Sequence, residues 1–164
     1  KDEVALSKER IKKLDIEPII KSVVDDFNSI YKLKRRINIS YKNDGKNNYF
    51  IYGIENRIEQ IVANLLDNAI SFSGDNQDVT VQVSKSHDEK VYIKVLDEGQ
   101  GFKEKDTNKI FKRFYSNRPD KFGQHSGLGL NIVKNLVDLH NATIKASNRQ
   151  DKKGASMEIE FPKV

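Results

Sequence analysis

Asn64 and Asn68 stand four residues apart in Asn64-Leu-Leu-Asp-Asn68-Ala, so a helix places both on one face. Asn is a poor helix former in an interior position, and two of them in so apolar a stretch need a reason. Two readings are open. The pair forms the polar edge of the apolar face, or Asn68 offers a hard oxygen to Mg²⁺ with Asn64 beside it. Mg²⁺ takes few protein oxygens and fills its other positions with phosphate and water. A second group lies at Asp97-Glu-Gly99-Gln-Gly101. On an extended segment 91–97, Val91, Ile93, Val95 and Asp97 point the same way, which aims a carboxylate at the core side. A buried charge there needs donors. An internal salt bridge, a strand-ending turn or a ligand would meet that need. Gly99 and Gly101, without Cβ, let the backbone come close to a ligand. The third group, Ser126-Gly127-Leu128-Gly129-Leu130, leads into Asn131-Ile-Val-Lys-Asn-Leu-Val. Free amides at a helix N-terminus make an anion site without any side chain, although an ordinary loop before a helix reads the same way. There is no Walker A sequence, so no P-loop lysine grips phosphate.

These groups need elements to hold them. Leu14-Asp-Ile16 reads as a short strand, and Pro18 suits a helix start. Ile19, Ile20, Val23, Val24, Phe27, Ile30 and Tyr31 recur at helical spacing. Residues 37–41 and 49–52 read as strands, with a turn at Asp44-Gly45. Residues 54–72 form a helix whose apolar face runs from Ile58 to Ile70. Val79, Val81 and Val83 alternate, as do Val91, Ile93 and Val95, with a hairpin turn at 87–89. Residues 98–126 hold no sustained period, and a loop that long in a compact domain is usually functional. A helix over 127–140 and strands over 143–148 and 156–161 close the chain. The expected class is α+β, a two-layer α/β sandwich with helices over one face of a mixed, mostly antiparallel sheet.

The 164 residues suit one domain with a sizeable core. No run approaches the roughly 18 apolar residues of a membrane span. With no signal-peptide pattern and no initiating Met, the chain reads as an excised soluble fragment. The absence of cysteine removes disulfide and thiolate chemistry. His87, His125 and His140 are far apart and show no metal-ligand spacing. A net charge of +5 fits a Lys- and Asn-rich surface or a basic rim that attracts ATP or an acidic partner. The short basic runs Lys32-Leu-Lys-Arg-Arg36 and Lys152-Lys153 are not interleaved with aromatics, which argues against nucleic acid.

Taken in order, the three groups resemble the N, G1 and G2 boxes of the GHKL ATPases, and most nearly the catalytic ATP-binding domain of sensor histidine kinases. The resemblance spans residues 14–164, with 1–13 as linker or the end of a preceding helical segment. Asn68-Ala-Ile-Ser71-Phe-Ser73 and Arg113-Phe-Tyr-Ser-Asn-Arg118-Pro are similar to the ChvG/ExoS type. It implies a Bergerat fold, ATP and Mg²⁺ as ligands, Asn68 on the metal and Asp97 on the adenine amine. Ser156 matches a small hydroxyl position that helps hold adenine. Ile110-Phe111-Lys-Arg113-Phe114-Tyr115 resembles the F box at the base of an ATP lid over about 102–126. Its aromatics anchor that base, with Tyr115 flanking the nucleoside, or are plain core.

The departures carry information. Many members have Lys or Arg where this chain has Ser71, and often Arg at Ser116. Phosphate charge then falls to lid cations such as Arg118 or Lys112. The common Gly-Gly after the last helix is Asn141-Ala142 here. The phosphoacceptor histidine is missing, so the helical hairpin that carries it is expected to precede residue 1 in the parent. ATPases of the gyrase and heat-shock chaperone kind use a Glu one turn before the metal Asn to activate water. Asn64 cannot act as a base, which favours the kinase over the ATPase. A nucleotide-binding interaction module is disfavoured by intact Asn68, Asp97 and the glycines. The expected partners are a dimerisation and histidine-phosphotransfer domain of the same parent and a downstream response regulator. The fragment itself is expected to be monomeric, and the parent an inner-membrane sensor with this domain in the cytoplasm.

Overall fold

The computed structural model describes residues 10–103, 107–112 and 129–164. Their elements are β1 (Lys12–Asp15), α1 (Ile16–Arg35), β2 (Asn38–Asn43), β3 (Phe50–Gly53), α2 (Glu55–Phe72), β4 (Asp78–Lys85) and β5 (Val91–Leu96). A 3₁₀ turn (Thr107–Phe111), α3 (Gly129–Leu139), β6 (Thr143–Asn148) and β7 (Ala155–Phe161) follow.

The first helix starts two residues earlier than Pro18 suggests. Asp15, in extended backbone, accepts the Glu17 amide on its side chain at 3.1 Å and caps Ile16. Pro18 falls within the first turn, where a missing N–H costs nothing. The strand before it therefore ends at Asp15 and pairs antiparallel with β3 as a small separate sheet.

Five strands run in the order β2-β4-β5-β7-β6. The β2–β4 pair is parallel and the others antiparallel. A parallel pair requires a crossover, and β3 with α2 supplies it. Alternation decides the faces. Val79, Val81, Val83, Val91, Ile93, Val95, Met157, Ile159 and Phe161 are buried against the helices. The opposite face carries Tyr92, Lys94, Glu158 and Glu160, with ion pairs Lys94–Glu158 at 3.7 Å and Lys90–Glu160 at 3.6 Å. One packed and one solvated face is the usual state of an antiparallel sheet. The helices close the core with Ile16, Ile20, Val23 and Val24 from α1, Ile58 to Ile70 from α2, and Leu130, Val133 and Val137 from α3. This is the two-layer α+β sandwich that the periodicities imply.

One side chain ties the helix layer to the site. The Arg35 guanidinium donates to the carbonyls of Ile70 (2.9 Å) and Ser73 (2.5 Å) and to the Asp75 carboxylate (2.8 Å). Those carbonyls lie where α2 runs out of its own donors. The Asn76 amide donates back to the Arg35 carbonyl at 3.2 Å. The end of α1 thereby fixes the end of α2, and with it the carbonyl of Phe72.

Candidate nucleotide-binding site

Asn68 is buried at 4% exposure, on the face of α2 that also buries Leu65 and Ala69, while Asn64 one turn earlier is half-buried. The Asn68 carbonyl accepts from the Ser71 hydroxyl at 2.7 Å, and the Ser73 hydroxyl donates to the Ala69 carbonyl at 2.8 Å. Ser71 is thus turned back onto its own helix. Its hydroxyl is already engaged with backbone.

Asp97 follows β5 and is 4% exposed, on the helix side with Val91, Ile93 and Val95. Its donors are backbone amides rather than a salt-bridge partner. Oδ1 accepts from Gly99 at 2.9 Å and from Ala155 at 3.1 Å. Oδ2 receives no hydrogen bond from the described residues. Burial pushes the Asp97 carboxyl above its ordinary range, while the two amides and the nearby Arg149 pull the other way. Among the described residues, then, this desolvated carboxylate has one oxygen satisfied and acceptor capacity left on the other.

The glycines answer to the protein's own packing. A Cβ on Gly99 would collide with the Phe72 carbonyl oxygen at the end of α2. Gly101 has φ +78°, and a Cβ there would lie 2.6 Å from Asn148 Oδ1. That Asn148 side chain accepts from the Phe102 amide (2.6 Å) and donates to its carbonyl (3.1 Å). Gly99→Ala should therefore destabilise the fold by about 1–3 kcal/mol, the scale of forced overpacking. The midpoint of urea unfolding measures it, and an unchanged midpoint would refute the contact.

Gly129 opens α3, and no atom of the described residues lies within 4 Å of the position a Cβ would take. Leu130 beside it is buried. Within the expected lid, Thr107–Phe111 forms a 3₁₀ turn with Ile110 and Phe111 buried in the core, held by Asn131 Nδ2 donating to the Phe111 carbonyl at 3.3 Å. Phe111 is thus core. Tyr115, Arg118, Ser126, Gly127 and Leu128 lie outside the described residues, as does most of the lid range.

Ser156 is not brought to the other site residues. It pairs with Leu96, and antiparallel partners share a face, so its side chain lies on the sheet face opposite Asp97. The residue beside the Asp97 carboxylate is Ala155, whose amide it binds. Three further residues emerge that no motif marked: Asn148, Arg149 and Gly154, all from the end of β6 and the loop to β7. Asn148 and Arg149 act through contacts more than 40 residues away in sequence, which no local pattern reveals.

Comparison with known proteins decides between the readings. The family model described as histidine kinase-, DNA gyrase B- and HSP90-like ATPase matches residues 53–164. The chain belongs to that family. Within it, the sensor protein ChvG of Agrobacterium fabrum is 37% identical over 148 residues, which are 86% of this chain and 25% of ChvG. The nucleotide-free catalytic domain of histidine kinase ThkA superposes with a TM-score of 0.80 and 26% identity, covering 94% of this chain and 96% of that one. ThkA in complex with response regulator protein TrrA gives a TM-score of 0.75 at 23% identity, covering 94% of this chain and 42% of that one. The chain is therefore a histidine-kinase-type catalytic domain with the GHKL fold, and it spans about a quarter of the length of ChvG. Among the described residues no helix is long and apolar enough to cross a membrane.

Proposed function

We propose that this domain binds Mg·ATP and delivers the γ-phosphoryl group to a histidine on a dimerisation domain of the same parent protein. A response regulator stands downstream, a partner class that ThkA meets in its complex with TrrA, and the parent is a membrane sensor whose cytoplasmic part includes this domain. The observation that carries the reading is Asp97, a buried carboxylate with Oδ1 bound by two amides and Oδ2 without a donor among the described residues. Oδ2 is the acceptor that the exocyclic amine of adenine requires. Gly99 and the Phe72 carbonyl set the floor beside it, and the N-terminus of α3 at Gly129 and Leu130 offers amides to phosphate.

Asn68 supplies a hard oxygen to Mg²⁺, with Asn64 one turn away on the same face. Among the described residues no three acidic, His or Cys side chains gather as a metal cage. That suits a cation held by one amide, phosphate oxygens and water. When bound, Mg²⁺ neutralises charge that develops on the phosphates; the protein's share is positioning. Asn64 cannot deprotonate water, so transfer to histidine is favoured over hydrolysis.

The test is a calorimetric titration with ATP and ADP, in Mg²⁺ and in EDTA. Asn68→Ala should weaken binding in Mg²⁺ by roughly tenfold or more, the scale lost even when a residue only supports a metal ligand. In EDTA the variant and wild type should nearly match. Equal binding in Mg²⁺ would remove Asn68 from the site.

A further inference from the structure

The loop 149–154 grips the segment that carries Asp97. Arg149 Nη1 donates to the Asp97 carbonyl at 3.1 Å across a separation of 52 residues. The rest of its guanidinium is clipped by Asp151, with Nε to Oδ1 at 3.0 Å and Nη2 to Oδ2 at 2.8 Å. The Arg149 side chain is only 9% exposed, against 64% for Asp151. The Arg149 amide donates to the Gly154 carbonyl at 2.8 Å and closes the loop on itself. Gly154, at φ +140°, lets the loop pass over Asp97; a Cβ there would collide with the Asp97 carbonyl oxygen and lie 3.0 Å from Arg149 Cδ. On the next residue, Lys152 Nζ lies 3.2 Å from Glu98 Oε2 while Glu98 Oε1 accepts the Asp78 amide at 2.9 Å.

The Asp97 peptide is therefore held on three sides. Its amide donates to the Ala155 carbonyl at 3.1 Å, its carbonyl sits between Gly154 and the Arg149 guanidinium, and its Oδ1 is pinned by Gly99 and Ala155. With backbone and Oδ1 fixed, Oδ2 has one direction left. We infer that Arg149 is a positioning and specificity-determining residue: clipped by Asp151, it orients the open oxygen of Asp97 toward the donor edge of a purine. Arg149 touches no base itself.

The guanidinium has a second effect. Among the described residues the charged side chains acting on the Asp97 carboxylate are Arg149, which favours its ionised form, and Glu98, which opposes it. The neighbour from α2 is the uncharged Phe72 backbone. Without Arg149, burial acts with less opposition, and the carboxylate takes its proton at higher pH. Only the ionised carboxylate accepts freely from an amine donor.

This inference rests on Asp97 reading the base, so the test separates the two. Affinities for Mg·ATP and Mg·GTP are measured on the whole chain between pH 4.5 and 8 for wild type, Arg149→Ala, Arg149→Lys and Asp97→Asn. In Arg149→Ala the ATP-to-GTP affinity ratio should fall about fivefold, the worth of one ordinary hydrogen bond. The pH below which ATP binding is lost should move upward. Arg149→Lys keeps the charge but not the planar fork, so it should restore the pH limb and leave the ratio lowered. An arginine that merely braces the loop would, when removed, weaken ATP and GTP alike and leave the pH limb in place; that result overturns the inference. If Asp97→Asn erodes the ratio while both Arg149 variants keep it, the inference fails alone. If Asp97→Asn keeps the wild-type ratio, the base reading fails and takes the inference with it. Should Arg149→Ala not fold, Arg149→Lys, which keeps the apolar stem, decides by its ratio.

Discussion

Asp97→Asn is expected to bind Mg·ATP at least roughly tenfold more weakly than wild type, to lose the preference for ATP over GTP, and to fold no less stably. The affinity loss follows from chemistry at one oxygen. Among the described residues Oδ2 is the only oxygen of the side chain without a donor. In Asn that position becomes an amide NH₂, a donor facing the adenine amine. A hydrogen bond to a charged group is worth about 1.5–3 kcal/mol, which is a factor of ten or more. Guanine presents a carbonyl at the same edge, so the substitution helps GTP where it harms ATP.

The stability claim runs the other way and makes the variant informative. Burial raises the Asp97 carboxyl above its ordinary value, so folding disfavours its ionised form. That cost is absent below the unfolded value, near about 3.9, and complete above the raised folded value. Stability therefore declines as pH rises through that window. Asn carries no such cost, and its Oδ1 still accepts from Gly99 and Ala155. Thermal melts should place the variant at or above wild type at pH 7, with the gap closing in acid. A large drop in melting temperature at pH 7 would show that Asp97 is there to hold the fold. Equal affinity of the wild type for ATP and GTP would remove it from the base.

How much of this was legible before the structure depends on the range of the physics. The period-2 pattern of β5 is local, and it correctly placed Asp97 on the core side because register fixes the face. The same rule sets Ser156 on the sheet face opposite Asp97. Position 156 is set by pairing with Leu96, and one residue of register moves a side chain to the other face. The glycines were visible as breaks in pattern, yet what they relieve is tertiary: Phe72 for Gly99 and Asn148 for Gly101. The cap at Asp15 was readable by residue type, and Pro18 drew the boundary away from it. Arg149 is the extreme case. Its partner at 97 lies across β7, the strand between β5 and β6, and an arginine in a polar loop looks like any solvated charge until the chain is folded.

Offered radiolabelled ATP, the isolated chain is expected to bind it without labelling itself and without releasing phosphate at a useful rate. Two absences combine. Asn64 stands where a water-activating carboxylate would be, and neither described histidine can take the phosphoryl group. His140 is buried, with Nδ1 2.7 Å from the Leu136 carbonyl and Nε2 accepting the Ile54 amide at 3.2 Å. The amide at Nε2 leaves the ring proton on Nδ1, so both nitrogens are committed to the backbone. His87 is exposed in the turn between β4 and β5, at the end of β5 away from Asp97. A strand of that length separates them by about 20 Å at ~3.3 Å per residue, too far for a phosphoryl transfer that needs contact. Supplying the helical hairpin of the parent in trans should restore an acid-labile label on its histidine, weakly, because the effective concentration set by the linker is gone. Asn64→Glu places a base one turn before Asn68 and should raise phosphate release above the wild-type level. Acid-labile label on the chain alone would mean an acceptor within this domain. Brisk release of phosphate that Asn64→Glu does not increase would mean that water is already activated by another group, and that the domain is an ATPase.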